Sequence, residues 1–123
     1  MELLKKYWFR GKVADEPNEW VYGYLMNDKT IYQPQPTKWS NCCGTGMFSV
    51  HTNTVGLYTR LIDKDGLFVF EGDIIKEIDT EHFYKIVFNG MEFLAVDESN
   101  NEPYLLSSFN SDEIQVIGNE YEV

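Results

Sequence analysis

Short hydrophobic runs alternate with polar turn residues along most of the chain. The first run covers residues 7–13 and ends in the polar stretch 14–19, the second covers 20–26 and ends at 27–29, and a third begins at Thr30. Aromatic and β-branched residues in runs of this length predict short strands joined by turns. The isolated Gly23 inside the second run predicts a bulge or a close approach of another backbone segment.

Residues 33–46 interrupt this alternation. Pro34 and Pro36 lack the N–H groups that a central strand needs, and Asn41, Gly44 and Gly46 continue the irregular pattern. We interpret 33–46 as a surface loop that divides a single domain into an N-terminal β part, about 1–32, and a C-terminal β part, about 48–123. A loop of this length in a small domain is often functional.

The alternation resumes after this loop and continues to the end of the chain. Turns are predicted at 63–66 and 71–73, and Asn89-Gly90 predicts a hairpin with a type I′ turn. Residues 104–109 carry the main helical signal, enough for one or two turns. The fold class predicted is mostly β, with short antiparallel strands, at most one short helix, and a small bent barrel from about residue 72 onward.

Composition supports a globular protein with its own core. The chain has 123 residues, and its aromatic fraction of 15% favours strands over helices. We expect no membrane span and no signal peptide, because no apolar run is long enough. Cys42 and Cys43 are adjacent and too close for an ordinary disulfide framework, so we expect a reducing, cytoplasmic compartment.

Charge is unevenly distributed along the chain. The formal net charge is −10; residues 1–12 sum to +3, and residues 13–123 sum to −13. Duplex-binding proteins gain most of their non-specific affinity from Lys and Arg at phosphates, so direct nucleic-acid binding is not expected. The basic segment is interpreted as a solvated strand edge, with contact to a phosphate or an acidic partner as the alternative.

Three stretches of the sequence together resemble the YopX family. Residues 9–12 and 20–25 are similar to the start of many members, and the close of the chain, residues 116–122, is similar to the family's terminal motif. The central stretch 55–75 resembles the family's central signature. The signature positions are Gly56, Tyr58, Thr59, Asp63, Gly66, Glu71, Gly72, Asp73, Gly118 and Asn119.

The resemblance implies a phage or prophage accessory protein of uncharacterised biochemical role, located in the cytoplasm of a bacterial host cell. It also implies a mostly β fold with an SH3-like barrel in the C-terminal half, and it brings no catalytic residues and no cofactor. The chain departs from the pattern at Arg60, where the family commonly has glycine, and at Leu57, where it commonly has a polar residue.

Two acidic turns are candidate metal or catalytic sites. Asp63-Lys64-Asp65-Gly66 is similar to part of a calcium loop, but the ligating ends of such a loop would fall on Leu61 and Gly72, so a hairpin turn is predicted. Glu71 and Asp73 flank Gly72, an arrangement that suits acid–base work or magnesium, or a turn in which Asp73 accepts backbone N–H bonds. The turn is favoured because no third carboxylate or basic clamp lies nearby in the sequence.

Cys42, Cys43 and His51 form the only soft-ligand group in the sequence. Structural zinc needs four ligands, so this group is incomplete without a second subunit. A Cys43–His51 nucleophile pair is the alternative, and a loop cysteine packed as a small apolar group is the favoured interpretation. His82 lies in a polar turn and is expected to be exposed.

These observations favour a non-catalytic protein-binding module that forms a homo-oligomer and contacts a phage or host protein. Trp8, Trp20 and Trp39 are the expected exposed anchors, since aromatic residues are enriched at interfaces. The alternatives are an acidic decoy of a host nucleic-acid-binding protein and an enzyme based on the carboxylates or the thiols. No catalytic residue, metal or cofactor is assigned.

Overall fold

A computed structural model describes residues 8–16, 19–34 and 45–121 of the chain. Its contacts divide the chain into two compact units, Met1–Tyr58 and Thr59–Val123. Both units are built from antiparallel strands, and the described part contains 3-10 helices but no α-helix. The mostly β fold predicted from the sequence is therefore confirmed. The unit boundary follows residue 58, at a different position from the division expected at 33–46.

The first unit is an antiparallel sheet with the strand order β4-β3-β2-β1-β5. A short 3-10 helix, Thr52–Thr54, leads into the last of these strands, which contains the unit boundary. The strands are β1 (Phe9–Lys12), β2 (Trp20–Asn27), β3 (Thr30–Gln33), β4 (Gly46–Ser49) and β5 (Gly56–Ile62). The predicted loop 33–46 is wrong at both ends, because Gln33 belongs to β3 and pairs with Gly46 of β4. Residues 35–44 lie outside the described part.

One face of this first sheet carries an apolar core. Its buried members are Val13, Val21, Ile31 and Val50, with Phe9, Phe48 and Val55 packed against them. Gly23 lies on β2 beside its neighbouring strand β3, and a Cβ atom there would collide with the backbone carbonyl oxygen of Tyr32. The close backbone approach predicted from the isolated glycine is confirmed.

The second unit begins with the end of β5 and the short strand β6 (Phe68–Phe70) beside it, followed by a five-stranded sheet. The sheet order is β10-β9-β8-β7-β11, so β10 and β11 are its edges. The strands are β7 (Asp73–Glu77), β8 (Phe83–Phe88), β9 (Phe93–Asp97), β10 (Pro103–Leu105) and β11 (Ile114–Asn119). The core beneath them consists of Val69, Ile75, Tyr84, Ile86, Ala95, Leu106 and Ile114.

The turn between β8 and β9 differs from the type I′ turn predicted at Asn89-Gly90. Phe88 pairs with Phe93, so the loop has four residues rather than two. The Asn89 side-chain oxygen accepts the N–H groups of Met91 and Glu92, at 2.9 and 2.8 Å, and only Gly90 of the Asn-Gly pair has a positive φ. The Asn89 side chain therefore stabilises a longer turn, in which Asn89 itself does not need the positive φ of a type I′ turn.

The helical turn predicted within 104–109 is present as a 3-10 helix at Leu106–Ser108. The first residues of that stretch belong instead to β10, where Leu105 pairs with Leu94 of β9. A second 3-10 helix, Ser111–Glu113, precedes β11. The pairing of residues 103–105 with β9 therefore outweighs the weak helical preference of an isolated hexapeptide.

Candidate functional site

Asp63 ties two backbone segments of the second unit together, its own turn and β11. Its carboxylate accepts the N–H groups of Asp65 (2.9 Å) and Leu67 (2.8 Å) through Oδ1, and that of Val116 (2.9 Å) through Oδ2. The side chain is buried, and Gly66 completes the turn with a φ of +85°. The predicted hairpin turn is confirmed. The carboxylate is fully engaged by backbone donors, which suits a structural role.

The Glu71-Gly72-Asp73 stretch is likewise a turn, between β6 and β7. Asp73 is 1% exposed, and its Oδ2 accepts the Phe70 N–H at 2.7 Å, as predicted for a turn aspartate. Gly72 has a φ of +93°, and it donates to Ile86 O and accepts from Glu120 N. These bonds join the turn to β8 and to the end of β11.

The other signature positions also lie at strand pairings and turns. The Tyr58 N–H donates to Trp8 O at 2.8 Å, and the Asn119 side-chain oxygen accepts the Tyr121 N–H at 2.9 Å. Gly118 stands at a register shift between β11 and β7, and Gly56 pairs with Arg10. The signature therefore marks residues that shape the two sheets, and none of these contacts brings reactive groups together.

Two of the three tryptophans expected as exposed anchors, Trp8 and Trp20, are buried. Trp8 and Trp20 are only 4% and 6% exposed, and the guanidinium carbon of Arg10 lies 4.8 Å from the ring centre of Trp20. Burial removes both rings from the surface, and the Arg10 cation also stabilises the ring of Trp20. Trp39 lies outside the described residues.

Of the three residues considered as a thiol or zinc group, only His51 lies within the described part of the chain. Cys42 and Cys43 lie outside the described residues, and His51 is exposed just before the 3-10 helix Thr52–Thr54. Within residues 8–16, 19–34 and 45–121, no three His, Cys, Asp or Glu side chains are grouped closely enough to hold a metal ion.

A titratable cluster that the sequence did not predict surrounds Tyr84. Its hydroxyl donates to Glu77 Oε1 at 3.3 Å, and burial, with Glu77 adding to it, raises the pKa of Tyr84 to about 12. On the next strand, hydrogen bonds from Ser99 lower the pKa of Asp97, which lies 3.5 Å from Nδ1 of the exposed His82. Tyr84 stays protonated and Asp97 ionised near neutral pH, so neither is poised for proton transfer there.

The second unit contains a cleft of about 310 Å³ beside the β10 edge. Its apolar wall is formed by Leu61, Phe93, Leu105 and Leu106, and Thr59, Arg60, Glu92 and Ser107 complete it. The volume is at the lower end of the range for ligand sites, and a mostly apolar lining with a few polar groups is typical of them. Sequence reasoning missed this cleft because its lining comes from three separated segments.

One signal for the cleft was present in the sequence at Arg60. This residue adopts a φ of +73° inside β5, a backbone conformation that glycine adopts without steric cost. The Thr59 hydroxyl donates to Val69 O (2.7 Å) and accepts the Leu61 N–H (3.1 Å), so it bridges across Arg60 and holds this geometry. The fold thus gives a physical reason why glycine would be favoured at this position.

Comparison with known proteins places the chain in a family without adding a named relative. No helix of the described residues is long and apolar enough to cross a membrane. No curated protein sequence matches the chain. A family model described as YopX protein matches residues 8–123, nearly the whole chain, and the chain therefore belongs to the YopX family.

Proposed function

We propose that the chain is a non-catalytic protein-binding module, a phage or prophage accessory protein that contacts its partner through the cleft and the adjoining β10 edge. The observation that carries this proposal is the apolar wall of the cleft beside an edge strand. Leu105 is 46% exposed and Tyr104 44% exposed on that strand. Exposed apolar side chains next to a concave apolar site are a common feature of interaction surfaces.

The edge position of β10 adds a second means of recognition. β10 pairs with β9 on one side and ends the order of the sheet on the other. An extended partner segment can pair with such an edge through its backbone while one side chain enters a neighbouring pocket. Pro103 begins the strand and has no N–H to donate, so the pairing would be short.

Two carboxylates of the acidic turns, Asp63 and Asp73, support a non-catalytic role. Asp63 and Asp73 accept backbone N–H groups at turns, and both are almost completely buried. A general acid or base has to reach a substrate proton, which these positions do not favour. The SH3-like barrel implied by the resemblance stays a prediction, supported by the short sequential strands of the second unit.

A random dodecapeptide library displayed on filamentous phage tests the proposal with a defined probe. Peptides selected on the wild-type protein should bind the Leu105→Ser variant about tenfold more weakly, because the variant removes an apolar contact at the cleft. Ile117→Ser is the matched control, since Ile117 is 50% exposed on the opposite edge strand. Selected peptides that bind both variants as tightly as the wild type would contradict the proposed surface.

Homo-oligomerisation and a cytoplasmic location belong to the same proposal. Sedimentation equilibrium over a concentration series tests self-association, and fractionation of the producing bacterium tests the compartment. A monomer at every concentration would remove the oligomer from the proposal and leave the peptide-binding surface to be judged by the display experiment.

An acidic decoy of a host nucleic-acid-binding protein is the second candidate, and the distribution of charge favours it. Residues 59–123 contain four basic and fifteen acidic residues, a net charge of −11, whereas residues 1–58 contain six basic and five acidic residues, a net charge of +1. The register of β7, β8, β9 and β11 brings three acidic turns to one end of the five-stranded sheet. The carboxylates there are Glu77, Asp79, Glu81, Asp97, Glu98, Glu102, Asp112 and Glu113.

Displacement of host DNA-binding proteins from a fluorescent duplex tests the decoy. The triple variant Glu81→Lys, Glu98→Lys, Asp112→Lys should lose displacement, and wild-type displacement should weaken steeply with salt. Asp15→Lys, Glu16→Lys, Asp28→Lys is the matched control, because it changes the net charge equally in the first unit. Equal displacement by both triple variants, or displacement insensitive to salt, would rule the decoy out.

A further inference from the structure

Arg60 has a left-handed backbone conformation, with a φ of +73°, although it lies inside strand β5. Three described residues other than glycine have positive φ values: Arg60, Glu81 and Asn101. The last two lie outside strands, near turns, but Arg60 lies within β5. Left-handed backbone at a residue with a Cβ atom costs free energy, and residues that keep it often do so at functional sites.

The strained residue is a cation, and it lines the cleft. Arg60 lines the cleft together with Leu61 and Phe93, and its side chain is exposed. It takes part in none of the ion pairs or hydrogen bonds found among the side chains of residues 8–16, 19–34 and 45–121. The unit around it contains fifteen acidic residues and four basic ones. The guanidinium is therefore available to a ligand that enters the cleft.

We propose that the cleft binds a segment of a partner protein in which an apolar side chain stands beside a carboxylate. Leu61, Phe93 and Leu106 would surround the apolar side chain, and Arg60 would pair with the carboxylate. A planar guanidinium binds a carboxylate through two parallel hydrogen bonds, which gives direction as well as affinity. This inference rests on the proposed protein-binding function and names the chemistry of the partner.

The size and charge of the cleft limit the ligand. A volume of about 310 Å³ accommodates one side chain of the size of phenylalanine with its carboxylate, rather than a large ligand. Glu92 also lines the cleft, and its carboxylate disfavours a ligand with a second negative charge. The carboxylate can come from the C-terminus of the partner or from an aspartate or glutamate next to the apolar residue.

Four small probes separate these possibilities by titration of backbone amide NMR signals. Acetyl-phenylalanine and its amide differ only in a terminal carboxylate, and the amidated dipeptides acetyl-Phe-Asp and acetyl-Phe-Asn differ only in a side-chain carboxylate. In the wild type, saturable shifts are expected at the cleft amides, with the acid of one pair binding about fivefold more tightly than its neutral partner. The pair that shows the preference identifies the source of the carboxylate.

Substitutions at Arg60 provide the control. Arg60→Gln removes the charge and keeps the Cβ atom, so it should abolish the preference for acid over amide while leaving apolar binding in place. Arg60→Lys keeps the charge without the planar fork and should retain part of the preference. Both variants keep the backbone strain, so a difference between them reports charge rather than folding.

The failures of this inference and of the proposed function are distinguishable. Equal binding of acid and neutral probes in the wild type, or a preference that survives in Arg60→Gln, overturns the role of Arg60 while the peptide-display result for Leu105 still stands. The absence of saturable shifts at the cleft with all four probes also overturns the inference, and the display experiment then decides the proposed function on its own.

Discussion

The two units of the chain use different groups to fix their backbones. In the first unit the buried polar side chains described are Arg10, Gln33 and Thr54; in the second they are Asp63, Asp73 and Asp97. The first unit has a net charge of +1 and the second −11, yet the second places aspartates in its interior. There the carboxylates of Asp63 and Asp73 accept backbone N–H groups at turns.

This difference teaches that acidic residues in one small chain have two separate roles. Buried aspartates organise turns through charge-assisted hydrogen bonds, while exposed carboxylates at one end of the second sheet set its charge. In the first unit, neutral side chains accept the corresponding backbone bonds, Tyr22 N–H to Gln33 Oε1 at 3.1 Å and Lys12 N–H to Thr54 Oγ1 at 2.9 Å, and the close approach of Gly23 to Tyr32 adds a constraint of shape. Substitutions that probe shape should therefore affect the first unit, and those that probe carboxylates should affect the second.

Gly23→Ala tests the shape of the first unit and should have the largest effect. The new methyl group would collide with the backbone carbonyl of Tyr32, which cannot move without breaking the β2–β3 pairing. We expect a loss of at least about 3 kcal/mol in the free energy of unfolding, measured by hydrogen exchange at the amides of β2 and β3. Gly90→Ala is the control: nothing lies within 4 Å of its Cβ position, and its φ of +96° limits the cost to about 1 kcal/mol. Equal losses of unfolding free energy in the two variants would contradict the role of Gly23 in shaping the first unit.

Asp63→Asn tests the carboxylate clamp of the second unit. An amide group can accept at one atom only, so at least one of the three N–H groups loses its partner. We expect a loss of about 2 to 3 kcal/mol, measured by urea denaturation, with reduced exchange protection at Val116. Asp65→Asn changes a half-exposed carboxylate in the same turn and should cost less than about 0.5 kcal/mol. A loss confined to the amides of the first unit would contradict the assignment of the clamp.

Thr59→Val tests the bridge that holds Arg60 and should have an intermediate effect. Valine has the same shape without the hydroxyl, so the bonds to Val69 O and from Leu61 N are both lost. We expect about 1.5 kcal/mol of destabilisation in thermal unfolding. Thr80→Val removes an exposed hydroxyl that donates to Glu77, and it should cost within about 0.5 kcal/mol. Similar costs for the two threonines would show that the bridge is unimportant.

Tyr84→Phe tests how the free energy of unfolding depends on pH, and it should have the smallest effect of the four substitutions at neutral pH. Burial raises the pKa of Tyr84 from 10.0 to about 12, so the folded state keeps its proton where the unfolded state loses it. The stabilisation is complete below pH 10 and should be lost as pH rises toward about 12, whereas the phenylalanine variant lacks this decline. Denaturation at a series of pH values measures the difference between the two proteins. Parallel curves above pH 10 would remove Tyr84 as the cause.

Much of the fold could be predicted from local sequence patterns. The strands around Trp20, Ile31 and Ile75 and the turns at Asp63 and Gly72 follow from alternation and turn residues. What local patterns could not give was the side-chain hydrogen bonding of Asn89, which made a four-residue loop from an Asn-Gly signal. Strand pairing likewise placed residue 105 in β10 rather than in a helix.

The candidate site was much harder to predict. The cleft combines residues from β5, β9 and the turn after β10, and its lining residues are spaced too far apart for a sequence motif. The exposure of side chains was equally difficult to predict. The sequence could not distinguish the buried Trp8 and Trp20 from the exposed Leu105, because burial depends on which strands become neighbours. Of the lining residues, the sequence analysis singled out only Arg60, as a departure from the expected family pattern, and the meaning of that departure required the backbone angle.

The bond between Asp63 and Val116 has a consequence for synthesis on the ribosome. It joins residues 53 apart in the sequence, and β11 completes its sheet by pairing with β7. The first four strands, by contrast, pair with their nearest neighbours along the chain. Because domains fold as their segments emerge, β1 to β4 can pair early, whereas the edge of β7 stays open until residues 114–119 have left the exit tunnel. A chaperone that binds nascent strands would therefore find its target in the second half of the chain.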